Sequence, residues 1–212
     1  MRGPNLIDVT PPVKRRPGQH HGDLRNALLT AALELVAEGG PRGLTVAEAA
    51  RRAGVSVTAP YKHFADRDAL LAALGVLGYE EQARRFGAAV ASAEDPREQL
   101  VATAVAYLDF AVEHRALFAV LFGAGLDKGA HPPLAAAGAA VLDVLLAPAA
   151  AVRPDAPEEL LVTVAAVAHG HAVFLLDGAL GPPQEVLPEV RRRVADGARR
   201  LCGPSPPRRP GG

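Results

Sequence analysis

The stretch LTVAEAARRAGVSVTAPYKHF, residues 44–64, decides how the rest of the chain is read. Thr45 stands three residues before Glu48, the spacing of a capping box: the Thr hydroxyl accepts a backbone N–H of the new helix while Glu reaches back. Val46, Ala49, Ala50 and Ala53 then recur at i, i+3, i+4 and i+7, so this helix buries a face of small side chains that lets a neighbour cross closely. Gly54 ends it. After only Gly54 and Val55, Ser56 is placed to cap a further helix, with Val57, Thr58 and Ala59 in its first turn and Tyr61, Lys62, His63 and Phe64 in its second. Pro60 lacks the N–H that would bond to Ser56, which keeps this helix short. Two helices joined by a tight glycine-containing turn form a helix-turn-helix, the arrangement whose second helix enters the major groove of DNA.

Working outward, a helix from residue 23 carries Leu24, Leu28, Ala31 and Leu35 along one stripe and stops at Gly39, Gly40 and Pro41. Downstream, Asp66 caps a longer helix bearing Leu70, Leu71, Leu74 and Leu77. Residues 1–21 contain prolines and the basic cluster Lys14, Arg15 and Arg16 and read as a flexible arm, and the Pro- and Gly-rich tail 203–212 reads as disordered. The expected organisation is therefore a helix-turn-helix domain over 22–67 and a helical domain over 68–202. Charge divides in the same place. Residues 1–67 hold ten basic and six acidic side chains, whereas 68–212 hold thirteen and seventeen, so a formal net charge of zero conceals a basic head on an acidic body.

Composition removes several function classes. With 49% hydrophobic and 22% charged residues in 212, the chain is not globally disordered, and its balanced charge excludes a uniformly basic polyanion binder. Cys202 is the sole cysteine, which excludes an internal disulfide and fits a reducing, cytoplasmic setting. No secretory signal precedes the polar run at residues 14–21, and no stretch of uninterrupted apolar residues is long enough for a membrane span, so no membrane partner is expected. No Gly-rich phosphate loop or Gly-x-Ser-x-Gly elbow is present. His169 and His171 lie two apart on a helix, about 200° around it, and cannot converge on a reacting atom or metal with Asp177. The adjacent His20 and His21 lack a third ligand in sequence. We expect no enzyme, metal or cofactor.

The runs HHGDLRNALL (20–29), LTVAEAARRAGVS (44–56) and APYKHFADRDALL (59–71) resemble the N-terminal DNA-binding domain of TetR-family transcriptional regulators. The resemblance rests on the Gly-Val-Ser turn and the Tyr-x-His-Phe ending occurring together at the right spacing. Further on, Ala168, His169 and Gly170, with Leu176, Asp177 and Gly178 following, resemble the TetR subgroup marked by a Trp-His-Gly motif, with Ala168 in the Trp position. This implies an all-α fold, a three-helix head joined to a helical ligand-binding and dimerisation bundle. Within the head, Val57 and Thr58 can meet base edges and thymine methyls, and Ala59 allows close approach. Thr45, Ser56, Tyr61, Lys62 and His63 complete the expected DNA-binding set, chiefly through phosphates, while Phe64 reads as core.

The second half reads as successive helices: one opened by Pro96, a short one to Phe122, one over about 133–146, one from Pro157 to about 177, and a last one opened by Pro188. Given the resemblance, the pocket candidates are Phe86, Tyr107, Phe110, Phe118 and Phe122, with His114 and His169 as polar groups, for a small apolar or amphipathic ligand. Leu161, Val164, Ala165, Ala168, Ala172 and Leu175, with Val190 and Val194, are the expected homodimer interface. The implied function is a ligand-responsive regulator, a repressor that binds a palindromic double-stranded DNA operator as a homodimer. The alternative is a constitutive DNA-binding or accessory dimer without an inducer.

Overall fold

A computed structural model describes residues 21–203; the basic cluster Lys14, Arg15 and Arg16, His20 and the tail from residue 204 lie outside the described residues. The described residues form eight α-helices and two 3-10 turns, with no strand. Helix α1 is His21–Gly39, a 3-10 turn spans Pro41–Gly43, and α2 is Val46–Arg52. The second 3-10 turn, Ala59–Lys62, precedes α3, Arg67–Ala91. There follow α4 (Pro96–Glu113), α5 (Arg115–Gly123), α6 (Pro132–Val152), α7 (Pro157–Leu176) and α8 (Pro183–Cys202).

Sequence-level caps set several of these boundaries. Thr45 accepts the Glu48 N–H at 3.1 Å, Asp66 accepts from Ala69 at 2.7 Å, and Asp95 accepts from Arg97 at 2.8 Å with Pro96 in the first turn. The reciprocal half of the expected capping box is not made, because the Glu48 carboxylate turns to Arg51 one helical turn on. Gly40 and Gly54 each hold φ of 71°, a left-handed backbone that lets α1 and α2 end sharply.

Three expected elements differ. Residues 56–64 are not an α-helix: Ala59 N–H donates to Ser56 and His63 N–H to Pro60, both three residues back, and only Phe64 reaches four back. Pro60 supplies no N–H and is itself buried, so the segment tightens into 3-10 geometry and Ser56 does not act as a helix cap. Helix α6 runs through Pro148 to Val152, and α8 begins at Pro183 and contains Pro188. In both, one missing hydrogen bond is outweighed by neighbouring tertiary packing, since Pro148 is buried and Val190 follows within the same core.

Leu28, Leu44, Ala49, Phe64, Leu70 and Leu71 close the core of the head. Arg52 grips Glu38 through two bonds of 2.6 and 2.8 Å, tying α2 to α1, and Arg67 donates to the Leu44 and Pro41 carbonyls, bolting the start of α3 beneath them. Helix α3 then continues about 37 Å at 1.5 Å per residue. Its N-terminal leucines belong to the head, while Glu81, Gln82 and Phe86 are buried in the bundle. Close packing against α6 and α5 depends on glycine: a Cβ at Gly75 would lie 2.7 Å from Leu134, and one at Gly78 would lie 3.1 Å from Leu121. In the bundle α4 packs against α3, α7 and α8.

Candidate nucleic-acid interface and ligand cavity

One surface of the head carries a row of side chains that its own fold does not use. Val57 is 57% and Tyr61 59% exposed, large values for side chains of this size, and Ser56, Thr58 and Lys62 are exposed beside them. Ala59 and His63 are half-buried beneath this row, and Phe64 is buried in the core as expected. Thr45 is exposed, and although its oxygen accepts the Glu48 N–H, its own O–H remains a donor. Of the head's arginines, Arg51, Arg52 and Arg67 are committed to internal contacts and Arg25 lies 5.5 Å over the Phe64 ring. Lys62 and Arg42 are exposed and make no ion pair with the described residues, which leaves them available to phosphate.

A cavity of about 640 Å³ opens between α3, α4, α6 and α7. Phe86, Tyr107, Leu145 and Leu161 wall it, and its rim includes Phe122, Leu142, Leu146 and Val162, all exposed. Its polar groups are few. The Tyr107 hydroxyl is 2.8 Å from His169 Nδ1, and Phe118 and Phe122 pack around this pair with ring centroids 5.4 and 4.8 Å from the imidazole. Burial pushes the Tyr107 phenol well above its ordinary value and lowers the His169 imidazole, so both favour their neutral forms. Gln82 also lines the cavity, and its Nε2 has no hydrogen-bond partner among the described residues.

Beside the cavity lies a charged cluster. Glu81, buried, accepts from Arg84 and Arg85 at 2.6–2.7 Å. Burial alone would raise its carboxyl, but these bonds outweigh it and hold the pKa at about 2. Arg85 also reaches Glu113 and His114, joining α3 to the end of α4. A second, open groove between α3, α4 and α8 displays Arg84, Arg85 and Arg199, but each already holds a carboxylate: Glu81 for the first two and Glu98 for the third.

Residues 28–74 match the family model described as bacterial regulatory proteins of the tetR family, and residues 100–196 match the one described as the tetracyclin repressor-like C-terminal domain. The chain belongs to the TetR family. Among solved structures, a protein of unknown function from Rhodococcus sp. RHA1 is 32% identical with a TM-score of 0.71, over 87% of this chain and 98% of that one. A bacterial regulatory protein in the tetR family from Rhodococcus RHA1 shares the fold at 19% identity and a TM-score of 0.68, over 89% and 100%. So does a tetR family transcription regulator from Shewanella sp. PV-4, at 18% identity and a TM-score of 0.67, over 84% and 96%. No curated protein matches the chain. This is a TetR-family DNA-binding transcription regulator with a helix-turn-helix head, and regulators of this family are generally not enzymes.

Within this TetR-family frame the site residues expected from sequence fall into three groups. Phe86, Tyr107, Phe122 and His169 line the cavity, and Phe118 supports them from behind. Phe110 and His114 do not line it: Phe110 is fully buried and stacks on His114 at 5.6 Å, next to Arg85. The expected dimer set is also corrected. Leu161, Val164, Ala168, Ala172, Leu175, Val190 and Val194 are buried inside one protomer, where α7 and α8 pack with α4, so they cannot meet a second copy; only Ala165 is exposed. The outward side of α7 instead shows Val162, Ala165, Ala166 and Phe174.

Gln82 was missed because an isolated glutamine on a helix ordinarily faces solvent. The signal for it was its place at i+3 from Tyr79 and i−4 from Phe86, on the same buried face of α3. His171 turns away from the cavity and bonds the Val167 carbonyl at 2.8 Å, as the helical offset from His169 requires. By length and composition α6 and α7 are apolar enough to cross a membrane. Both are nonetheless integrated in the bundle, α6 against α3 and α7 against α4 and α8.

Proposed function

We propose that this protein is a ligand-responsive repressor that works in the cytoplasm as a homodimer and binds a palindromic operator. Val57 and Thr58 read base edges, with Ala59 permitting their approach; Thr45, Ser56, Tyr61, Lys62 and His63 hold the phosphates. The observation that carries the reading is the continuity of α3, which begins among head residues held by Arg67 and ends among residues lining the cavity. A ligand that contacts Gln82 and Phe86 acts directly on the element that carries the head.

Release follows only if the ligand binds unequally to the DNA-competent and DNA-incompetent arrangements. Two heads are needed because one helix-turn-helix covers a single half-site, and two-fold symmetry of the protein is mirrored in the operator. The surface proposed for the second copy is the outward side of α6 and α7, where Leu142, Leu146, Val162 and Phe174 are exposed. Their grouping on adjacent helices is what an isologous interface buries, and it gives these two apolar helices a partner other than lipid.

Selection of the purified protein against a genomic DNA library, at one fixed moderate salt concentration, tests the reading. A single palindromic motif is the expected recovery. Binding that is salt-sensitive but yields no motif would overturn it.

A further inference from the structure

The cavity's polar groups define the chemistry of the molecule it takes, an inference that rests on the ligand-binding reading above. Gln82 is only 2% exposed, yet its Nε2 has no acceptor among the described residues. A buried amide N–H without an acceptor is costly, and a ligand oxygen placed against it removes that cost. Tyr107 and His169 bond to one another at 2.8 Å and the pair keeps one further O–H or N–H, whereas the Gln82 amide nitrogen is buried with no partner among the described residues.

The charged groups in the cavity wall are of one sign. No Arg or Lys lines the cavity, whereas Asp143 and Glu158 do, both exposed in the protomer at its mouth, on the side of α6 and α7 proposed above to face the second copy. A carboxylate or phosphate ester would pass two like charges on entry and then lose its hydration without gaining a cation. A quaternary ammonium would gain from the mouth but leave Gln82 unsatisfied, since it accepts no hydrogen bond. The remaining wall, including Phe86, Leu145 and Leu161, suits an apolar body.

The geometry points to an uncharged, largely apolar ligand with one carbonyl oxygen, such as a medium-chain ester or ketone, that oxygen accepting from Gln82 Nε2 and the chain lying along Phe86 and Leu161. The amide donor sets affinity and the acidic mouth discriminates against anions.

Calorimetric titration of the full-length protein with methyl decanoate, decanoate and decyltrimethylammonium, each below its micellar concentration, tests this. The ester binds most tightly, and decanoate binds about tenfold or more weakly than it. Gln82→Met, close in length and shape, weakens the ester about tenfold, the order expected for one buried hydrogen bond. The double variant Asp143→Asn with Glu158→Gln, at an oligomeric mass unchanged by light scattering, narrows the gap between ester and decanoate. The inference is overturned if the ester does not bind, if decanoate or the ammonium binds as tightly, or if Gln82→Met leaves the ester's affinity unchanged. Calorimetry needs no DNA, so these outcomes concern ligand chemistry alone. An ester that binds as expected but fails to release the selected operator would sink the regulatory reading and leave this inference standing.

Discussion

The Tyr107 hydroxyl and His169 Nδ1, 62 residues apart in sequence and 2.8 Å apart in space, join α4 to α7 at the wall of the cavity. Tyr107 also contacts the rings of Phe86, Phe118 and Phe122, so its ring is fixed independently of its hydroxyl. Tyr107→Phe therefore isolates the hydrogen bond. The expected loss is about 1 kcal/mol, the usual net contribution of such a bond, read from the shift in urea midpoint at unchanged slope. An unchanged midpoint would show that the pair orients the cavity without stabilising the bundle.

Stability should fall in two stages as pH is lowered. Burial depresses the His169 imidazole, and burial followed by the Arg85 charge depresses that of His114, from an ordinary value of 6.5. Below that pH the unfolded chain binds protons that the folded protein resists, so stability is complete above about pH 6.5 and declines as pH drops through the lower folded values. A second decline begins near 4.5, where an unfolded Glu81 takes up a proton, and continues towards its folded value of about 2. Thermal midpoints at about pH 7.5, 5.5 and 3.5 measure both stages. Replacing both histidines by Gln should flatten the first stage only, and a slope unchanged by that replacement would assign it to other groups.

Two glycines of α3 should respond oppositely to alanine. At Gly75 the new Cβ would sit 2.7 Å from Leu134, a buried side chain with little room to move, so Gly75→Ala should destabilise by about 1–3 kcal/mol. At Gly87 a Cβ meets nothing within 4 Å, so Gly87→Ala should stabilise by about 0.5–1 kcal/mol through helix propensity. Equal effects at both positions would mean that the α3–α6 approach is looser than the Gly75 contact implies.

Much of this architecture was legible in the sequence wherever a backbone requirement coincided with a distinctive side chain. Thr45, Gly54, Asp66 and Asp95 announce helix ends because few residue types cap a helix or tolerate a left-handed turn. The segment after Ser56 reads as helical from sequence but not as 3-10, since Pro60 shifts the balance from α to 3-10 by an amount that local propensity does not reveal. Pro148 and Pro188 mark boundaries by the local rule, but α6 runs through a buried Pro148, and α8 carries an exposed Pro188 two residues before the buried Val190. The dimer stripe failed for a different reason. Helix α7 is apolar on more than one side, so periodicity marks Leu161, Val164 and Ala168 as buried without saying whether their partner is the same chain or another.

On the DNA side, Tyr61→Ala and Lys62→Ala should weaken operator binding while leaving fold and oligomeric state intact, because both side chains are exposed and neither belongs to the head's core. Lys62→Ala should also reduce the dependence of affinity on salt, by roughly one phosphate contact per head. Binding and circular dichroism measured together separate this from loss of the fold. Val57→Ala should instead relax preference at single base positions with little change in salt dependence.

The dimer proposal is tested by charge placed on the outward side of α7. Phe174 is 56% and Val162 69% exposed in the protomer, so Asp at either position costs a single chain little of its core. In a dimer buried across this face the same carboxylates would be desolvated opposite their own symmetry mates, and like charges brought together there oppose association. Light scattering should therefore report a monomer for Val162→Asp with Phe174→Asp, and operator affinity should fall with it because one head engages a single half-site. A dimer of unchanged mass would remove this face from the interface and direct attention to α8, whose exposed Arg192 and Arg200 make it the more polar alternative.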